Sequence, residues 1–246
     1  MRIFNLIKFL MFIFPSLFLY SFENSSYTTN FLKEEKVDIN GDGKLDEISI
    51  SAISESGDFV LKINEISIKD KVGEEEEVDG FIVIDIDATD KYKEVAVHNP
   101  GPSSDDEYVI YYYDGKSIIE MGRIKRWPNF FGNGIILVDD WMGFWSKRDK
   151  YVLNNKTRKL DFVPQEFYYV GVEAKVKESF PIYRKREGSE IVANLKPDSK
   201  ILIILCDVSS KDYECHYYLI KSETGLIGWA KLKSFQYKVE GLPWAD

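Results

Sequence analysis

The chain of 246 residues is 44% hydrophobic, 30% charged and 15% aromatic, which leaves room for one large or two ordinary globular cores. Its formal charge is −9, and losing Arg2 and Lys8 with the first 22 residues takes it to −11. A surface of that sign repels polyphosphate, which argues against nucleic acid as a partner.

Residues 1–22 place Arg2 and Lys8 around an apolar run from Phe9 to Phe22 and read as a secretory signal. The run is shorter than the roughly 20 residues of a spanning helix, and no lipobox cysteine follows it. Small residues are missing at the usual cleavage positions, so an uncleaved membrane anchor stays open as the alternative. Either way the remainder is expected to be secreted, periplasmic or on the cell surface. Residues 23–30 are polar and read as a linker, with a fold starting near Phe31.

The most informative stretch is Asp38-Ile39-Asn40-Gly41-Asp42-Gly43-Lys44-Leu45-Asp46, followed by an alternating strand from Glu47 to Ser51. Oxygen side chains fall at positions one, three, five and nine, with a glycine at six where a tight loop turns. That spacing predicts Ca2+ held by Asp38, Asn40, Asp42 and Asp46, with the Lys44 carbonyl and waters completing the shell. Position twelve is Ser49 and a strand follows, so an EF-hand is excluded. The loop-then-strand resembles the calcium loops of FG-GAP or VCBS-type repeats, which implies a β-propeller-type sheet. The plain alternative is an acidic Asx-turn.

Short strands are expected at Glu47–Ser51, Phe59–Ile63 and Glu65–Ile68, with a solvated acidic turn from Gly73 to Gly80. The run from Phe81 to Val97 then lies over the first loop, Asp85 under Asp38 and Glu94 under Glu47, a repeat of 47 residues. The second copy has Thr89 and Lys93 in place of two ligands, so carboxylates such as Asp85 and Glu94 are expected to bond local backbone or Lys groups rather than a metal. Val95–His98, the Asn99–Glu107 turn, Tyr108–Tyr113 and Asp114-Gly115 continue as strand, turn, strand and hairpin. The tyrosines read as β packing in preference to a carbohydrate surface. A fainter third unit runs from Phe131 through Ile135–Val138 to Lys150–Leu153. Its Trp141, Phe144 and Trp145 read as core or as the seam to a second domain, with a ligand groove lined by Trp141 and Trp145 as the alternative. Three units cannot close the usual ring of four to eight blades, so residues 31–165 are expected to form a partly open, propeller-repeat-like β domain.

The pattern changes after Pro164. Phe180-Pro181-Ile182-Tyr183-Arg184, Ile191 to Ile201 with its Pro197-Asp198 turn, and Gly225-Leu226-Ile227-Gly228-Trp229-Ala230 resemble the strands and terminal Gly-x-x-Gly-Trp ending of bacterial SH3-like (SH3b) domains. The resemblance covers residues 170–237 and implies a small β-barrel capped by Trp229. It also implies a binding module for cell-wall peptides or glycans, or for an envelope protein, with Arg184 and Tyr217 at a possible groove. The fold class is therefore all-β throughout.

Cys206 and Cys215 are a disulfide candidate in an exported protein, across a turn from Asp207 to Glu214. Cys215 beside His216 cannot serve as nucleophile and base from a strand, because neighbours point to opposite faces, and Asp139 with Asp140 meets the same objection. The expected function is an exported, non-enzymatic envelope-binding protein stabilised by calcium. The alternative is an envelope polysaccharide or peptidoglycan hydrolase, or its regulator.

Overall fold

A computed structural model describes residues 30–74, 76–102, 105–208 and 215–244. The expected signal at 1–22, nearly all of the linker at 23–30 and most of the Asp207–Glu214 turn lie outside the described residues. The chain divides after Asn30, and Phe31–Asp246 is one compact unit. Its strands pair antiparallel in four sheets, none closed.

The first sheet is a meander of β1 (Glu34–Val37), β2 (Asp46–Ala52), β3 (Asp58–Ile63) and β4 (Ile66–Lys71), paired in chain order. Alternation decides its two faces. Ile48, Ile50, Phe59, Leu61 and Ile63 point inward, whereas Glu47, Ser49, Ser51, Lys62, Ser67 and Lys69 point to solvent. Asn64 holds φ 54 in the β3–β4 turn, a left-handed conformation that asparagine tolerates.

The second sheet repeats the meander with β5 (Gly80–Ile84), β6 (Glu94–Asn99), β7 (Glu107–Tyr113) and β8 (Ile118–Lys125). The third does so with β9 (Trp127–Phe130), β10 (Ile135–Trp141), β11 (Ser146–Asn154) and β12 (Lys159–Val163). The sheets stack in sequence. Val95, Val97, Val109, Tyr111 and Tyr113 meet the first sheet, while Ala96, Ile110, Tyr112 and Met121 meet Ile136, Val138 and Leu153 of the third. With cores on both sides, β6 is buried at every position. Tyr111, Tyr112 and Tyr113 are packing residues, but on both faces of β7 rather than on one half-exposed face, because a core lies on each side.

The repeat is real but its register differs from the sequence reading. Ile39 N–H donates to Asp46 at 3.1 Å, and Ile86 N–H donates to Glu94 at 3.1 Å. Glu94 therefore stands where Asp46 stands, not Glu47, because the second turn is one residue longer. Each turn also docks on the following sheet: Ile39 O accepts from Lys93 N at 2.9 Å and Ile86 O from Gly134 N at 2.7 Å.

The fourth sheet contains β13 (Phe167–Val176), β14 (Phe180–Tyr183), β15 (Ile191–Leu195), β16 (Lys200–Asp207), β17 (Tyr217–Ser222), β18 (Ile227–Lys231) and β19 (Val239–Glu240), with a single turn of helix, α1 (Leu232–Phe235). Its order is β15-β14-β18-β17-β16-β13-β19. Strand β13 begins at Phe167, three residues ahead of Val170, where the SH3b resemblance starts. Its core gathers Phe180, Ile203, Tyr218, Ile220 and Phe235, and takes in Phe144 and Trp145 from the β10–β11 connection of the third sheet. Gly228 lets β18 approach β14: a Cβ there would lie 2.9 Å from Ile182 Cβ.

Candidate functional site

The acidic loop is built by its own backbone. Asp38 Oδ1 accepts the N–H groups of Gly41 at 2.7 Å and Asp42 at 3.2 Å, and Oδ2 that of Gly43 at 2.8 Å. These bonds hold the Asp38 carboxyl below its usual pKa, Gly43 N–H contributing most. Asn40 Oδ1 accepts from Asp42 N at 2.9 Å, and Asp42 Oδ1 from Lys44 N at 2.9 Å. Gly43 turns the loop at φ 84. Among the described residues no group of three or more acidic, histidine or cysteine side chains is arranged to hold a metal. The donor chemistry nonetheless suits a hard cation, because a side-chain oxygen that accepts one N–H keeps a second lone pair.

Asp46 stands apart from the other predicted ligands. It is 4% exposed, with Oδ2 taking Ile39 N–H and Oδ1 taking Asn64 Nδ2 at 2.7 Å. These bonds make it the base of the loop, as Glu94 is in the second turn. The second turn meets a protein cation: Arg158 Nη1 lies 2.8 Å from Asp90 Oδ2 and Nη2 3.4 Å from Glu94 Oε1, with the guanidinium 4.4 Å from the Tyr112 ring centre. Nothing in the sequence signals this partner, which comes from the β11–β12 hairpin of the next sheet.

The predicted ligand-surface residues separate into three environments. Trp145 is 3% exposed, its Nε1 facing Tyr218 Oη at 3.3 Å, so it belongs to the seam between the third and fourth sheets and not to a ligand surface. Burial pushes the Tyr218 phenol up to about 12, against the downward pull of the Trp145 indole. Trp141 lies on the open face of the third sheet. Arg184 and Tyr217 do come together, in a groove of 740 Å³ on the fourth sheet that also takes in Arg186, Asp207, His216 and Trp229.

Trp229 is a wall of this groove rather than a cap on the core. Direct pairing with Tyr183 and Leu219 puts it on the outer face, while Phe180, Tyr218 and Phe235 fill the inner one. The Arg186 guanidinium sits 5.8 Å from its ring centre and pairs with Asp207. Lys231 lies 5.2 Å from the Tyr217 ring centre, and Arg184 pairs with Glu190 at 3.2 Å. The groove thus presents two aromatic walls and a rim of mixed charge, Arg184, Lys185 and Arg186 beside Glu187 and Asp207. Arg186 was not singled out from the sequence; its place two residues beyond Arg184 was the available signal.

Cys206 and Cys215 are joined by a disulfide, with Cα atoms 5.7 Å apart. This removes Cys215 as a nucleophile. His98 is buried between Asp79 Oδ1 at 2.7 Å and Asp106 Oδ1 at 3.1 Å and stacks on Phe31 at 3.8 Å, an arrangement that ties two loops together. Asp139 and Asp140 point to opposite faces, the first to Arg148 and the second to Arg126. In comparisons with family models, with curated proteins and with solved structures, nothing matches this chain.

Proposed function

We propose that the chain is an exported, non-enzymatic binding protein of the cell envelope, with an SH3b-like module whose groove takes a cell-wall peptide or a protein segment. The supporting observation is the groove itself, where Arg184 and Tyr217 meet Trp229 and Arg186. Aromatic walls suit the apolar part of a peptide, and the mixed-charge rim suits its amide and charged groups. The three stacked meanders are of the FG-GAP or VCBS kind and act as the support, with Ca2+ at Asp38, Asn40, Asp42 and the Lys44 carbonyl, and Asp46 bracing the loop from behind.

The test is sedimentation with purified peptidoglycan, using the chain from Glu23 onward, which keeps the compact Phe31–Asp246 unit whole. The protein is expected to pellet without releasing soluble fragments, and Trp229→Ala or Arg184→Ala is expected to weaken binding about tenfold. Release of soluble muropeptides, or equal pelleting of both variants, would overturn the proposal.

A further inference from the structure

The outer face of the third sheet exposes two tryptophans next to an ordered polar cluster. Direct cross-strand pairing puts Trp127 opposite Asp139 and Asp139 opposite Arg148, and Trp141 follows two residues along β10 on the same face. Trp127 and Trp141 are diagonal neighbours, about 7–8 Å apart at the backbone, and are 42% and 39% exposed. Beside them runs a polar strip. Asp139 accepts Arg148 Nε at 2.6 Å and Nη2 at 2.9 Å, and Asn129 Nδ2 at 3.3 Å.

From this geometry we propose that the face binds a neutral polysaccharide chain. Indole faces stack on the C–H faces of sugar rings, and a fixed carboxylate–guanidinium–amide strip offers acceptors and donors to hydroxyl groups. Charge on the face is near balance, Asp139 and Asp161 against Arg148 and Lys150, with the Lys159 ammonium drawn to the Glu120 carbonyl of β8, which favours an uncharged ligand over a polyanion.

A second copy of the chain fits less well. Four strands about 4.8 Å apart and about seven residues long give a face of about 450 Å², so two copies would bury about 900 Å². That is less than the roughly 1,200 Å² of a stable interface. It would also bury the Asp139–Arg148 pair, at a desolvation cost that hydroxyl groups would offset. This surface is independent of the groove on the fourth sheet.

The test titrates the chain from Glu23 onward with cellohexaose and with chitohexaose, both neutral, and follows tryptophan fluorescence and heat. Saturable binding of at least one hexasaccharide is expected. Trp127→Ala and Trp141→Ala should each weaken it about tenfold, and Trp229→Ala should leave it within about twofold. Circular dichroism melts check that the variants fold, and Asn129→Ala, at an exposed polar position, gives a second reading through an expected loss of a few fold. Absence of binding to both sugars, binding unchanged in the Trp127→Ala/Trp141→Ala double variant, or a dimer that Trp141→Ala dissolves would each overturn the proposal. Loss in Trp229→Ala alone would assign sugar binding to the groove and overturn it as well.

Discussion

Glu94 should make the stability of this protein fall as pH rises through mild acidity. Its side chain is 1% exposed between the second and third sheets, bonded to Ile86 N–H and facing Arg158, with Asp85 and Asp90 nearby. Burial is the largest influence and pushes its pKa from 4.5 up to about 7, against the downward pull of Ile86 N–H and Arg158. A folded pKa above the unfolded one means that the folded state binds the proton more tightly. Stability is therefore greatest below pH 4.5 for this group and is lost as pH rises to about 7.

The loss is about 3 kcal/mol, taking about 1.4 kcal/mol for each tenfold change. For a unit of this size that corresponds to roughly 6–12 °C in Tm. Glu94→Gln keeps an oxygen for Ile86 N–H and removes the titration. Thermal melts of both proteins at intervals from pH 4.5 to pH 8 isolate the effect, because every other group is common to the two. The variant should gain on the natural protein progressively toward pH 7. Parallel Tm curves across that range would refute the reasoning.

Three further outcomes are expected. Asp42 accepts one N–H in an exposed loop, so Asp42→Ala should cost under about 1 kcal/mol in chelator. Millimolar calcium, at about 1–10 times a typical extracellular Kd, should add about 0.4–1.4 kcal/mol to the natural protein, roughly 1–6 °C, and nothing to the variant; equal shifts in melts with and without calcium would count against a metal loop. Replacing both Cys206 and Cys215 by serine should lose about 2–3 kcal/mol, since the bond spans a sequence separation of 9, and urea unfolding reads this directly. Gly228→Ala should cost about 1–3 kcal/mol, because its methyl would press on Ile182 and on the Tyr183 carbonyl across β14; unchanged urea midpoints would show that the strands separate freely.

What was legible in the sequence is what local spacing encodes. The alternation of Ile48 and Ile50 with Glu47, Ser49 and Ser51 predicts β2, the Asp38–Asp46 spacing predicts a tight loop, and Asp114-Gly115 predicts the β7–β8 hairpin. The Cys206–Cys215 bond follows from their number and nearness. What was not legible depends on partners distant along the chain. Trp141 and Trp145 are four residues apart and look alike in sequence, yet one lies on an open face and the other under Tyr218. Trp127 becomes Trp141's neighbour only through the register of β9 with β10. Asp46 and Glu94 share a role that one extra turn residue hides, and Arg158 reaches Glu94 across 64 residues.

The two ends of the stack explain how three sheets stand without closing a ring. Each internal core is formed between consecutive sheets, Ile50 and Phe59 with Val97 and Tyr111 at one level, Ile110 and Met121 with Ile136 and Val138 at the next. Such an array needs a termination at both ends, and polar outer faces supply it in other repeat architectures. Here the first sheet ends in Glu47, Ser49, Lys62 and Lys69, which need no cover. The third sheet sends Phe144 and Trp145 into the core of the fourth, so its connection is sealed by a different kind of sheet. A second chain that completed a ring by laying its first sheet on this third sheet would have to strip water from Lys62, Lys69 and Glu47 and from the Asp139–Arg148 pair as well, at several kcal/mol per buried ion. The polar face therefore limits the array to three sheets and leaves the Trp127–Trp141 face open for a smaller, hydroxylated ligand.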